Sequence, residues 1–182
     1  IIRFKPKLST SEFVLKNHLH IKLWTQSSPI LPFTDIPPSS SYRKYTIVLE
    51  LFQPRGGRFL YGLLGAEVDI NLENREIILD LTNRNLENRL FQSDFLNELD
   101  EAKYGLPIEY ATELQKFILE ISNQMKFNDL YKINFCFAAH NDIGSNIKIF
   151  KLLALSILQY IQNSELTLDD LNQTQKILDQ NI

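Results

Sequence analysis

The stretch YRKYTIVLELFQPRGGRFLYGLLGAEVDI, residues 42–70, decides the fold of this chain. Residues 45–52 are rich in β-branched and aromatic side chains, and residues 59–64 and 67–72 continue in the same way. Between them, PRGGR (54–58) is a turn signal, because glycine accepts the positive φ that tight hairpin turns require. The stretch therefore predicts a long β-hairpin whose turn lies at the two glycines.

The segment after this hairpin predicts less regular structure. Gly62 and Gly65 interrupt the second strand and predict bulges, and residues 75–81 predict one more strand. The polar stretch 83–97 predicts irregular chain, in which Ser93 caps a short helix.

The pattern changes period after residue 105. A helix is predicted to begin at Pro107, which suits the first helical turn, and a buried strand is predicted over 133–138. Two further helices follow, the second of them from Thr167 with Asp170 in an acidic first turn. The apolar faces of the first two helices consist of Ala111, Leu114, Phe117, Ile118, Ile121 and Met125, and of Phe150, Leu153, Ala154, Ile157, Leu158 and Ile161. This order predicts an α+β fold, a mixed sheet with helices on one face.

The first residues predict an arm. Ser9 and Glu12 have capping-box spacing, which predicts a short helix, and residues 19–24 alternate as a strand does. Prolines and serines then predict a linker up to residue 41. We therefore expect an arm and linker over 1–41, a compact domain over 42–163 and a C-terminal helix over 164–182.

Composition narrows the classes of function. The 182 residues are 44% hydrophobic and 23% charged, as in ordinary globular proteins, and the formal net charge of −3 gives no whole-chain attraction to nucleic acid. The absence of any 18-residue apolar stretch predicts no membrane-spanning helix. One cysteine, Cys136, and three histidines predict neither a disulfide nor a metal site, and the expected location is the cytoplasm.

Motifs for catalysis are missing from the sequence. It contains no G-x-G-x-x-G, no G-x-x-x-x-G-K-[ST] and no G-x-S-x-G, so we expect no nucleotide site, no cofactor and no catalytic residues. A small-molecule kinase would need a glycine-rich loop with serines at a helix start, and Gly144-Ser145 is too little for one. The chain is predicted not to be an enzyme.

Two segments carry candidate binding residues. Arg55, Gly56, Gly57 and Arg58 either address phosphates through two guanidinium groups or form a solvated hairpin tip. The second segment lies between the last predicted strand and the next helix. Its candidates are His140, Asn141, Asp142 and Ser145, and Asn146 follows them. This segment either exposes an imidazole and amide groups to a ligand or caps the helix through Ser145 or Asn146.

Three segments in order resemble the fourth domain of the translocating GTPase elongation factor G. YRKYTIVLELFQPRGGRFLYGLLGAEVDI (42–70) resembles its opening Tyr-Arg strand and glycine-rich hairpin. LPIEYATELQKFILEI (106–121) is similar to its Pro-Lys-Glu-Tyr helix, and KINFCFAAHNDIGSNIKIFKLLALSIL (132–158) to its strand, histidine-containing loop and following helix. This chain has Arg58 and Leu60 where the family places Gly and Gln.

The resemblance implies a β-α-β-α domain of the type also found in a small-subunit ribosomal protein. In the complete factor, that domain contacts RNA of the decoding region through loops at one tip. By position, the tip of this chain comprises residues 55–59 and 140–145, and the implied partner is structured RNA or the ribosome. The alternative is a protein-interaction module that keeps the fold, which the acidic balance, the proline-rich segment and the extra helix favour.

Overall fold

The computed structural model describes residues 9–15, 18–27, 44–70, 76–82, 89–97, 100–127, 131–163 and 165–180. The strands of this part are β1 Ser9–Leu15, β2 Leu19–Ser27, β3 Lys44–Arg55, β4 Arg58–Ile70, β5 Glu76–Leu79, β6 Leu90–Phe91, β7 Ala102–Tyr104 and β8 Tyr131–His140. The helices are α1 Ile108–Gln124, α2 Ile147–Asn163 and α3 Leu168–Gln180.

All eight strands belong to one sheet. Their order is β1-β2-β3-β4-β8-β7-β6, and β5 lies beside β8. The β5–β8 pairing is parallel and the other pairings are antiparallel, so the sheet is mixed. The predicted α+β class is confirmed, and the element order from β7 onward is β7, α1, β8, α2 and α3.

The sheet has a helical face and an outer face. On β3, Ile47, Leu49 and Leu51 point to the helices and are almost fully buried, whereas Val48 belongs to a separate apolar cluster on the outer face. The helix α2 lies so close to β4 that a Cβ on Gly62 would come within 2.6 Å of Ile149 Cγ2. Since the main apolar cluster contains residues of all three helices, the helices lie on one face.

The helices follow their predicted apolar faces. In α1 the buried side chains are Ala111, Leu114, Ile118 and Ser122. Almost the whole length of α2 is buried, because it contacts the sheet, α1 and α3. A capping box starts α3: Asp170 N–H donates to Thr167 Oγ1 (3.2 Å) and Thr167 N–H donates to Asp170 Oδ2 (2.8 Å).

The N-terminal prediction is partly wrong. Residues from Ser9 form a strand, not a helix, and β1 pairs with β2 while β2 pairs with β3. Pairing with a distant strand therefore overrides the local capping-box spacing. The strand predicted over 19–24 is confirmed, and β1 and β2 both belong to the sheet. Most of the predicted linker, residues 28–41, lies outside the described residues.

The central hairpin is longer and more regular than predicted. The β3–β4 register runs through both Gly62 and Gly65 without a bulge. The register of β4 with β8 shifts between Gly65 and Ala66, but the extra residue is Cys136 on β8, so the bulges predicted in β4 are wrong. Glycine at position 62 instead gives α2 room to approach. The predicted helix after Ser93 is also wrong, since residues 94–97 form bends and irregular chain. No helix among the described residues is long and apolar enough to cross a membrane.

Candidate functional site

Two chain segments meet at one end of the sheet: the arginine turn (residues 55–58) and the polar loop (residues 141–146). The connection runs through Tyr61, three residues after the turn. Tyr61 N–H donates to the Gly144 carbonyl (3.0 Å), and Ser145 Oγ donates to the Tyr61 carbonyl (2.6 Å). The segments that the sequence singles out separately are therefore neighbours.

The contact between the two segments depends on a missing side chain. A Cβ on Gly144 would lie 2.6 Å from the Phe59 ring and 3.0 Å from the Phe59 carbonyl oxygen. In the turn itself, Gly56 and Gly57 have φ of 48° and 82°, in the region that favours glycine. Glycine thus fixes both the turn and the approach of the loop.

The arginine turn places two positive charges face to face. Arg55 and Arg58 are directly paired across the hairpin, and both are exposed. Arg55 Nε donates to Gln53 Oε1 (3.2 Å). Within the described part of the chain, neither guanidinium forms an ion pair. The turn therefore offers two guanidinium groups whose charge no described carboxylate neutralises.

His140 is mostly turned inward. Its Nδ1 lies 2.7 Å from the Gly105 carbonyl oxygen and its side chain is 13% exposed. Because a carbonyl oxygen can only accept, Nδ1 carries a proton and donates it in this bond. Nε2 lies 3.5 Å from Asp142 Oδ1. The imidazole thus joins the polar loop to the chain before α1.

Asn141 is only 7% exposed and builds the polar loop from inside. Its Oδ1 accepts from the main-chain N–H groups of Ile143 (2.9 Å) and Gly144 (2.6 Å), and its Nδ2 donates to the Glu101 carbonyl (2.8 Å). Asn141 N–H in turn donates to Ser145 Oγ (2.8 Å). The polar groups of Asn141 and Ser145 are therefore engaged within the protein.

Helix capping falls to Asn146, one of the two predicted candidates. Its Oδ1 accepts from Ile149 N–H (3.2 Å), three residues on, as an N-cap side chain does. The residues that the loop leaves outside are Asp142, 61% exposed, and Ile143, 84% exposed. A hydrogen bond from the Lys103 ammonium, together with the charges of Lys103 and His140, lowers the pKa of Asp142.

A second polar cluster lies on the outer face and was not predicted. Glu50, 1% exposed, accepts hydrogen bonds at Oε1 from the Tyr61 hydroxyl (2.9 Å) and from Ser93 Oγ (2.5 Å). Burial raises the pKa of Glu50, although Ser93, Tyr61 and Lys22 oppose the rise. Burial and the nearby Glu50 also raise the pKa of Tyr61 well above its usual range.

Residues 92–97, which we call the strap, cover this cluster. Phe95 stacks on Phe52 (ring centroids 5.8 Å apart), and Phe52 stacks on Phe59 (5.9 Å). Lys22 pairs with Asp94 (3.3 Å), and its ammonium lies 5.8 Å from the centroid of the Phe95 ring. A row of three rings therefore leads from the strap to the arginine turn.

The sequence contains only a weak signal for this cluster. Alternation along β3 assigns Glu50 to the face opposite Leu49 and Leu51, which suggests exposure to solvent. Val48 and Phe52, apolar residues on the same face, indicate that something covers that face. Which segment covers it depends on contacts more than 40 residues apart, such as that of Glu50 with Ser93.

The described residues contain no group of three or more His, Cys, Asp or Glu side chains that could hold a metal ion. No protein-family model matches this chain, and no curated protein matches it closely enough to count as a relative.

Proposed function

We propose that this chain is a non-catalytic, cytoplasmic RNA-binding module of the elongation factor G domain IV type, which holds structured RNA at the arginine turn. One observation carries the proposal: Arg55 and Arg58 face each other at an exposed turn without a described counter-charge. Like charges directly opposite each other destabilise a hairpin. An anionic partner removes that cost and gains two charge-assisted contacts.

The chemistry of the two side chains favours phosphate as the anion. A guanidinium group presents several N–H donors in a plane and binds phosphate oxygens in pairs. The glycines between Arg55 and Arg58 carry no side chains that would keep a backbone away. The two arginines therefore suit neighbouring phosphates of a folded RNA.

The polar loop supports the turn in this proposal. Ser145 and Gly144 hold the backbone of Tyr61, three residues after Arg58, and Asn141 shapes the loop that does so. His140 and Lys103 hold Asp142, whose own negative charge would repel a phosphate. We therefore assign direct contact to the arginines, and positioning to His140, Asn141 and Ser145.

Two features support the translation-factor type. The consecutive elements β7, α1, β8 and α2 match the β-α-β-α order that the resemblance implies. The arginine turn and the polar loop lie at the same end of the sheet, as the two tip loops of that domain type do. The partner in this proposal is structured RNA, with the ribosome as the natural source.

Fluorescence anisotropy with a labelled RNA stem-loop from the decoding region tests the proposal. The variant R55A/R58A is expected to bind at least tenfold more weakly than the parent, because two phosphate contacts are lost. The control K116A/K126A removes two exposed lysines from α1 and the segment after it, at the same change in net charge. Equal weakening in both variants would mean that the turn has no special role.

A protein partner is the second candidate, and the outside of α1 favours it. Ile108 and Leu119 are 61% and 43% exposed. Ile108 also lines a shallow surface pocket of about 400 Å³ with Glu109, Thr112, Glu113 and Lys116. Self-association through this surface would appear as a dimer mass in light scattering and would be lost in I108S/L119S, with RNA binding unaffected.

A further inference from the structure

We infer that the strap opens and closes over the outer face of the sheet, and that ionisation of Glu50 beneath it favours opening. This inference does not depend on RNA binding. It rests on a carboxylic acid enclosed between β3, β4 and the strap.

Three kinds of contact link the strap to the sheet above Glu50. They are the Ser93–Glu50 hydrogen bond, the Lys22–Asp94 ion pair and the contacts of the Phe95 ring with His20, Phe52 and Lys22. Asp94 is 84% exposed, so its ion pair is a surface one, which contributes little in water. Among these contacts, the bond to Glu50 and the Phe95 ring therefore contribute more than the ion pair does.

Opening relieves the cost of a buried charge. A carboxylate under the strap has lost most of its water and has two donors, Tyr61 and Ser93, to replace it. Protonated Glu50 has no charge to hydrate, so the closed strap costs less. Once the strap lifts, water reaches the carboxylate and its pKa moves back toward the ordinary value of 4.5.

Opening of the strap is expected to become more favourable as pH rises. Burial raises the pKa of Glu50 in the closed state above that in the open state. The closed strap is therefore most favoured below the open-state pKa, and it loses that advantage as pH rises through the closed-state pKa. Between the two values the opening equilibrium constant rises with pH, by up to about tenfold per pH unit.

Several charged or polar groups surround Glu50, and the test must distinguish their effects on the strap from that of Glu50. Lys22 from β2 lowers the pKa of Glu50, and Asp94 from the strap raises it. Tyr61 from β4 donates to Glu50 and titrates far above neutrality. His20 from β2 also lies nearby, and its ring is 6.3 Å from that of Phe95. A His20→Gln variant therefore belongs in the test.

The chain contains two natural reporters of the strap. Phe95 N–H donates to Ser93 Oγ (3.0 Å), the hydroxyl that Glu50 holds while the strap is closed. Lifting the strap frees this hydroxyl and exposes the half-buried Phe95, so exchange of the Phe95 amide reports opening. Trp24, the only tryptophan, lies on the outer face under the Lys22 ammonium (5.1 Å to the ring centroid). Its fluorescence reports the same event independently.

The experiment measures both reporters from pH 4.5 to 8.5, with exchange expressed as a protection factor to remove the intrinsic pH dependence of exchange. Amides of β8 serve as the reference for global unfolding.

In the parent and in H20Q, protection of the Phe95 amide is expected to fall with rising pH, and the Trp24 emission is expected to change with the same midpoint. In E50Q both should become pH-independent, whereas E12Q, which changes an exposed glutamate of β1, should behave as the parent. A parent without pH dependence, or an E50Q variant that keeps it, would overturn the inference.

Discussion

Arg55 and Arg58 occupy directly opposed positions of the β3–β4 ladder, so that two positive side chains share one cross-strand pair at the tip of the hairpin. Such a pair weakens the hairpin, whereas an opposite-charge pair strengthens it by roughly 0.2–1 kcal/mol. The Arg55–Arg58 pair therefore does not serve the stability of the hairpin, and binding of an anion would account for it.

Arg58→Glu tests this trade-off. The substitution places a carboxylate directly opposite Arg55, so the free energy of unfolding should rise by about 0.2–1 kcal/mol relative to Arg58→Gln, while RNA affinity falls. Urea unfolding and anisotropy measure the two effects. If R58E proves less stable than R58Q, the arginines do not repel each other at the tip.

Gly144→Ala should separate the polar loop from the arginine turn. The added methyl group would meet the ring and the backbone carbonyl of Phe59, and a backbone atom cannot rotate away. We expect a loss of about 1–3 kcal/mol in the free energy of unfolding. A matched control is Asp142→Ala in the same loop, whose side chain is exposed. A change in G144A no larger than in D142A would show that the close approach is unimportant.

Ser145→Ala removes the hydroxyl group that links Asn141 to Tyr61. The Tyr61 carbonyl loses a donor and the Asn141 N–H loses an acceptor, which should cost about 1–3 kcal/mol of unfolding free energy. Ser145→Thr retains a hydroxyl and should recover part of the loss. Thermal unfolding of the two variants checks this, and equal stability of S145A and the parent would contradict it.

The Tyr61–Glu50 hydrogen bond should show strong coupling in a double-mutant cycle. Tyr61→Phe leaves the Glu50 carboxylate with one donor fewer, so at pH 8 it should destabilise the protein by about 1–3 kcal/mol. In the E50Q background, where no charge needs that donor, the same substitution should cost less. Additive effects in the cycle would show that the two groups do not act as a unit.

Much of the fold could be predicted because its signals are local. The apolar period of α1 and α2, Pro107 before α1 and the two glycines of the turn each depend on residues close in sequence. The strand at Ser9 could not be predicted, since its capping-box spacing is a local pattern and its pairing with β2 is not.

The candidate site likewise has features that could be predicted from local sequence and features that could not. Exposure of Arg55 and Arg58 follows from a tight turn and was predictable. The inward bonds of Asn141 and His140 depend on Glu101 and Gly105, which reach the loop only through the pairing of β7 with β8. Burial of Glu50 under Ser93 likewise needs a contact that no local pattern encodes.

The salt dependence of RNA binding tests the central claim most directly. Each phosphate contact adds to the slope of log affinity against log salt concentration, so R55A/R58A should lose about 2 from the magnitude of the slope, while K116A/K126A keeps that of the parent. If the parent and R55A/R58A bind the stem-loop with the same slope, the arginine turn does not hold phosphates and the RNA-binding proposal is wrong.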